Sequence, residues 1–357
     1  VKVSTRPGRH SQVMSAHLAL SARLFVGATL KDRALAKQID DGLALVEAAL
    51  DKEARFADPV ADVTARYLLD AGGKRVRPVL TLLAAQLGNG TGPKVIVAAT
   101  AVEITHLASL YHDDVMDEAE MRRGVPSAHT VWGNSVAILA GDLLFARASQ
   151  LVARLGEKAI RLQADTFERL VLGQLRETVG PQEGDDPIEH YLGVLTDKTG
   201  SLISSAAEMG ALFAGADENV ITAVRDYGEK VGVVFQLVDD VIDLSPQPEQ
   251  TGKTPGTDLR AGVATLPLLK LRELAVLDQA AAELVERIER DVVEAAADDP
   301  KALQVIEELR LHPVTAETFE TARQWANAAV ASLGAVPEGS VKKALVRFTE
   351  VLLDRSS

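Results

Sequence analysis

Cysteine is absent from the 357-residue chain, which removes disulfides and thiolate metal sites and leaves nothing that points to an oxidising compartment. Positive charge is scarce too. The 51 acidic and 38 basic side chains give a net charge of −13, so no nucleic-acid partner is expected, because a phosphate backbone needs a basic face. Uninterrupted apolar runs are lacking. The most apolar, from Val95 to Tyr111, carries Glu103 and His106, and the run from Val136 carries Asp142 and Arg147, so no segment is expected to span a bilayer. No secretion signal is visible, because the apolar stretch after Met14 is short and broken by Arg23. A cytoplasmic location is the expectation. Alternating strand patterns are few, and no internal repeat stands out.

What is present is helical periodicity in a chain that is 47% hydrophobic, ample for a core. Val341, Ala344, Leu345, Phe348 and Leu352 recur at the spacing of one helix face. Breaks at Gly72-Gly73, Gly88 to Pro93, Gly180 to Pro187, Pro246 to Gly256 and His312-Pro313 separate the helical blocks. The expected fold class is all-α, a single domain over 16–357 made as a bundle of many helices, preceded by a disordered tail over 1–15.

The chemistry concentrates between Glu103 and Arg123, where Asp113, Asp114 and Asp117 end an apolar segment. In a helix, positions four apart differ by about 40° around the axis, so Asp113 and Asp117 project side by side with Asp114 flanking them. Such like charges destabilise a helix unless a cation covers them, and an oxygen-only set favours magnesium shared with phosphate oxygens. Acidic clusters are commonly solvated faces, and other aspartate pairs test that reading. The pair at Asp185-Asp186, with Glu189, reads as a capping box that opens a helix at Pro187. Only Asp239, Asp240 and Asp243 repeat the full pattern at the end of an apolar run.

Basic residues flank the first acid run. Gly72-Gly73-Lys74-Arg75-Val76-Arg77-Pro78 places backbone amides and cations at a helix start, where Lys74 and Arg77 could hold a diphosphate. Arg122-Arg123 follow the first acid run closely. His106, on an apolar face, would by itself more often be a core histidine than a ligand. Gly252-Lys253-Thr254 imitates the end of a phosphate-binding loop, but Gln247 stands where that loop needs glycine.

Together these runs, with Ala140-Gly141-Asp142, Tyr191, Lys198-Thr199, Tyr227 to Asp243 and Gly252 to Pro267, resemble the trans-isoprenyl diphosphate synthases of the long-chain polyprenyl branch. The resemblance covers about Tyr67 to Lys270. It implies an all-α fold around a deep central cavity and head-to-tail condensation of isopentenyl diphosphate onto an allylic diphosphate, with a homodimer as the usual assembly. It implies magnesium, about three ions to a site, held by Asp113 and Asp117 with Asp239, and by Asp114, Asp240 and Asp243 as further candidate ligands. Lys74, Arg77, His106 and Arg123 would hold isopentenyl diphosphate, while Arg122, Lys198 and Lys253 would contact the allylic diphosphate. Thr199 and Gln236 would line the place where allylic charge develops. Catalysis would rest on Asp113, Asp117, Asp239, Lys198 and Gln236. Gly200 stands where alanine is usual, and Val263 where lysine is frequent.

Two rivals fit less well. A terpene cyclase needs no second diphosphate site, and a non-catalytic partner subunit would be expected to have lost one acid run. A shorter-product synthase remains an alternative. Product length is read from the face of the helix before Asp113, where Ser109, Ala108, Thr105 and Ala101 are all small. The helix rises roughly 18 Å between Ala101 and Asp113. A growing chain could run along it to more than about twenty carbons, and the resemblance to the long-chain branch implies about thirty to fifty, although small residues also permit close helix packing. Peripheral membrane contact for product release is a further expectation.

Overall fold

The computed structural model describes Leu24, residues 29–245 and residues 255–354. The expected tail over 1–15 lies outside the described residues, as does Lys253. The chain divides into two compact units, each drawn from several separate stretches of sequence. The first takes the chain up to Phe167, with Leu202–Gly228 and Leu333–Arg347; the second takes Glu168–Ser201, Glu229–Ser332 and the chain from Phe348.

The first unit begins with α1 (Leu30–Glu53), opened by a capping box in which the Thr29 side chain and Asp32 exchange hydrogen bonds. Helix α2 (Pro59–Asp70) starts at Pro59 behind the Asp58 cap, which accepts from the amides of Val60 and Ala61. The Gly72-Gly73 break leads into α3 (Val76–Ala85), and Gly92-Pro93 opens α4 (Pro93–Met116). A two-residue hairpin follows. Its strands β1 (Met121–Arg122) and β2 (Val125–Pro126) pair antiparallel, with Arg122 opposite Val125. Arg123 and Gly124 form the turn, both at positive φ, as a primed hairpin turn requires. After α5 (Ala128–Trp132) comes α6 (Asn134–Ala153), which packs along α4.

By length and apolarity α4 and α6 could each cross a membrane. In α4 72% of the apolar window is buried within the fold, which marks a core helix, whereas in α6 the share is 39%. Helix α7 (Glu157–Val179) carries residues of both units. Helix α8 (Pro187–Leu195) starts at the expected Asp186 cap, whose carboxylate accepts from Ile188 and Glu189. It continues through a π-helical turn (Thr196–Gly200) into α9 (Ser201–Phe213).

Helix α10 (Glu218–Asp243) ends in the second acid run. The second unit then adds α11 (Thr257–Arg260), α12 (Leu266–Ala275), α13 (Gln279–Asp291), α14 (Pro300–Leu311) and α15 (Pro313–Ser332). Leu268, Leu271, Leu284, Ile288, Ile306 and Leu309 form part of one core there. A short 3-10 turn (Leu333–Ala335) precedes α16 (Ser340–Leu353), in which Ala344, Leu345, Phe348 and Leu352 are buried as the periodicity requires. The fold is all-α apart from the hairpin, as the sequence indicates.

The end of α4 that carries Asp113 is held in place by Tyr111, which is fully buried. Its hydroxyl lies 2.5 Å from the Thr64 carbonyl and 3.2 Å from that of Ala65, and it accepts from the Leu68 amide at 3.2 Å, so one side chain satisfies several groups of α2. Removing the hydroxyl takes away these buried hydrogen bonds between α4 and α2. Tyr111→Phe is therefore expected to lower unfolding stability by about 1–3 kcal/mol, read as a fall in the urea midpoint with an unchanged m-value.

Candidate active site

In the first unit, the acid run splits into two roles. Asp113 is half-buried in the last turn of α4, and Asp117 is exposed at its C-cap. Carboxylates at a helix C-terminus face the negative end of the macrodipole, so their position favours a cation over them. Asp114 faces inward. It is fully buried and receives Arg122 Nε at 2.6 Å, and burial raises its carboxyl above the usual range although Arg122 opposes the shift. The geometry takes Asp114 out of the expected metal set and makes it the counter-ion of Arg122. A helix cannot present positions i and i+1 on one face, and the apolar interior claims the second.

Beside these acids lies a concentration of cations. Burial, followed by the fields of Arg77, Arg123, Arg122 and Arg75, holds the His106 imidazole well below its ordinary range, so it stays neutral at neutral pH. Burial also lowers Arg123 to about 10 and lowers Arg77, while Glu103 opposes the shift in both. Arg77 Nε is buried with no hydrogen-bond acceptor among the described residues. Lys74 is exposed at the mouth of this turn.

Arg75, grouped by sequence with its basic neighbours, has a structural task instead. It sits in the left-handed conformation at φ 50° and is 2% exposed. Its guanidinium reaches Glu47 of α1 at 2.6 Å and Glu103 of α4 at 3.2 Å, and donates to the Gly72 carbonyl. Arg123 donates to the same carbonyl and to that of Leu68. A Cβ on Gly73 would lie 2.7 Å from Arg75 Nη1 and 3.0 Å from Arg123 Cζ, so glycine there lets two guanidiniums converge on one turn. Sequence reasoning found neither Glu47 nor the role of Glu103. The spacing of Glu103 one turn before His106 was the available signal.

The small residues before Asp113 also divide. Ala101, Thr105 and Ala108 are completely buried, and Ser109 is 7% exposed. Thr105 Oγ1 is tied down, donating to the Ala101 carbonyl and accepting from Gln163 Nε2 at 2.8 Å. The Ala108 carbonyl faces Gly141 of α6, where a Cβ would meet it at 3.2 Å. The α4 and α6 backbones therefore approach closely at Ala108. Ser109, one turn before Asp113, remains on the stripe of the two outward carboxylates.

In the second unit, Lys198 and Thr199 sit on the π-helical turn, an irregularity that recurs at functional sites. Lys198 pairs with Glu177 of α7, and neighbouring Asp197 is held by Arg169 at 2.9 Å and Arg176 at 2.7 Å. Gln236 and Asp239 are partly exposed on α10, whereas Asp240 and Asp243 are buried. Asp240 accepts the Tyr191 hydroxyl at 2.7 Å and the Leu266 amide at 3.4 Å. Burial lifts its carboxyl to about 8. Asp243 accepts the Asp258 amide at 3.1 Å. These two acids thus serve neighbouring elements, and Asp239 is left as the solvent-facing one.

Among the described residues, no three of His, Asp and Glu come together as a metal cage. The available donors are carboxylate oxygens in small number. That fits a magnesium-type ion, which keeps water and takes substrate phosphate into its shell, and not a metal held by protein alone.

Comparison with known proteins agrees with this chemistry. The polyprenyl synthetase family model matches residues 58–305. A nonaprenyl diphosphate synthase of Mycobacterium tuberculosis is 42% identical over 335 residues, covering 94% of this chain and 98% of that protein. A polyprenyl synthase from Caulobacter crescentus, solved with calcium and isoprenyl diphosphate, has a TM-score of 0.80 at 32% identity, with 91% and 98% of the two chains covered. A geranylgeranyl pyrophosphate synthase from Corynebacterium glutamicum, also solved with calcium and isoprenyl diphosphate, has a TM-score of 0.79 at 41% identity over 90% and 98%. The match spans both acid runs and the basic turn at Gly72 to Pro78, and with it the chain belongs to the polyprenyl synthetase family, the trans-isoprenyl diphosphate synthases.

Proposed function

We propose that the protein is a magnesium-dependent prenyltransferase that condenses isopentenyl diphosphate head-to-tail with an allylic diphosphate, making an all-trans polyprenyl diphosphate of about thirty to fifty carbons. The observation that carries this reading is the buried, acceptorless Nε of Arg77 within a crowd of guanidiniums around neutral His106. A buried donor without an acceptor is costly, and surplus positive charge in a low dielectric repels itself. A diphosphate relieves both.

In this reading Lys74, Arg77, His106 and Arg123 hold isopentenyl diphosphate. Arg122, which Asp114 orients, and Lys198 hold the allylic diphosphate. Asp113, Asp117 and Asp239 carry the magnesium, which when bound neutralises charge growing on the departing diphosphate. Thr199 and Gln236 present polar atoms beside the allylic carbons, and no protein nucleophile is required. The long product is supported by Ser109, whose small side chain lies one turn below Asp113. The proposal includes a homodimer, supported by Ile138 and Leu139 of α6, which stand 40% and 60% exposed.

Four outcomes follow. Asp113→Ala and Asp239→Ala are each expected to cut turnover by about 10²-fold or more with unchanged far-UV circular dichroism. Near-normal turnover in both would sink the metal assignment. Arg77→Ala should raise KM for isopentenyl diphosphate about tenfold or more while KM for the allylic substrate stays put; equal rises would mean the two diphosphates are wrongly placed. Radiolabelled isopentenyl diphosphate, followed by chromatography of the dephosphorylated products, should show chains beyond twenty carbons. Ser109→Phe should shorten them towards fifteen or twenty, roughly what a blocked helix face leaves room for.

A further inference from the structure

Tyr191 is absent from the roles just assigned, yet it joins two elements that carry them. It lies on α8, which runs without a break into the π-helical turn of Lys198 and Thr199. Its hydroxyl donates to Asp240 at 2.7 Å, and Asp240 is on α10 beside Asp239 and one turn after Gln236. A second point of contact lies further along the same two helices. A Cβ on Gly232 would stand 2.6 Å from the Gly200 Cα, so the two backbones touch there. Moving forward from Tyr191 to Gly200 corresponds to moving back from Asp240 to Gly232. The helices are therefore antiparallel, and these contacts bracket a stretch of roughly 12 Å. Lys198, Thr199, Gln236 and Asp239 all lie within it.

The two contacts do different work. Touching glycine backbones set the separation of the helices but have no side chains to stop one sliding past the other. A directional hydrogen bond to a buried carboxyl does stop sliding, because moving away takes the hydroxyl from its acceptor and the Asp240 oxygen from one of its donors. The Leu266 amide on the same oxygen ties the bond to α12 as well.

Building on the proposed function, we infer that Tyr191 is a positioning residue: through Asp240 its hydroxyl fixes the register of Lys198 and Thr199 against Gln236 and Asp239. It also explains why the second acid run keeps a buried member. Asp240 is the anchor, and Asp239 is the group turned outward.

The test uses the full chain and follows Mg²⁺-dependent binding of inorganic pyrophosphate by calorimetry, with the urea midpoint measured alongside. Tyr191→Phe keeps the ring and removes only the hydroxyl. It is expected to raise the half-saturating Mg²⁺ about tenfold, the usual scale for a group that orients a ligand from behind. Gly232→Ala, which forces the same two helices apart at the other contact, should move it in the same direction. If Tyr191 acts through Asp240, adding Tyr191→Phe to Asp240→Ala should cause no further loss. Unchanged Mg²⁺ dependence in Tyr191→Phe while Asp239→Asn abolishes binding would overturn the inference, as would additive losses in the double variant. Unimpaired binding in Asp239→Asn would instead overturn the metal assignment in the proposed function.

Discussion

Positive charge held against itself is the constraint on which the first unit depends. Arg75, Arg77, Arg122 and Arg123 all act on the His106 imidazole, and most of that charge is withdrawn from water. Glu103, 2% exposed, supports the cluster from within and pairs directly with Arg75. Breaking one member of such a set leaves a buried charge exposed to its neighbours, which is why groups of this kind hold their geometry closely. An acidic chain that gathers its guanidiniums here and leaves Arg77 Nε without an acceptor has a site shaped for an anion with several oxygens.

Several surrounding features can be read as supports for that cluster. The Gly72-Gly73 turn brings one carbonyl to both Arg75 and Arg123. Helix α1 supplies Glu47 to Arg75 from outside the region matched by the family model. The hairpin after α4 turns at Arg123, so the two adjacent arginines part, Arg122 to Asp114 and Arg123 to the carbonyls that end α2. In the second unit the same economy holds with opposite sign: buried acids receive neighbouring donors, and one acid of the run is left to face outward.

Much of this was legible in the chain. Two acid runs at the ends of apolar helices, a glycine pair before a basic helix start and the cap at Asp186 are local patterns, and the structure has them where the sequence puts them. The roles within each run were not legible. Asp113 and Asp114 are chemically identical neighbours, as are Asp239 and Asp240, and the helix turn separates them only once the buried side is known. Arg75 looked like Lys74 and Arg77 for the same reason.

Composition and short-range spacing by themselves determined the helical class, several of the helix breaks and the presence of an oxygen-donor and guanidinium chemistry, because capping, periodicity and charge clustering act over a few residues. Only tertiary structure decided which carboxylate meets solvent and which meets an arginine or a tyrosine. Arg75 lies far along the chain from Glu47, and Tyr191 far from Asp240. Burial and pairing at such separations depend on which helix faces pack together, and no local pattern carries that information.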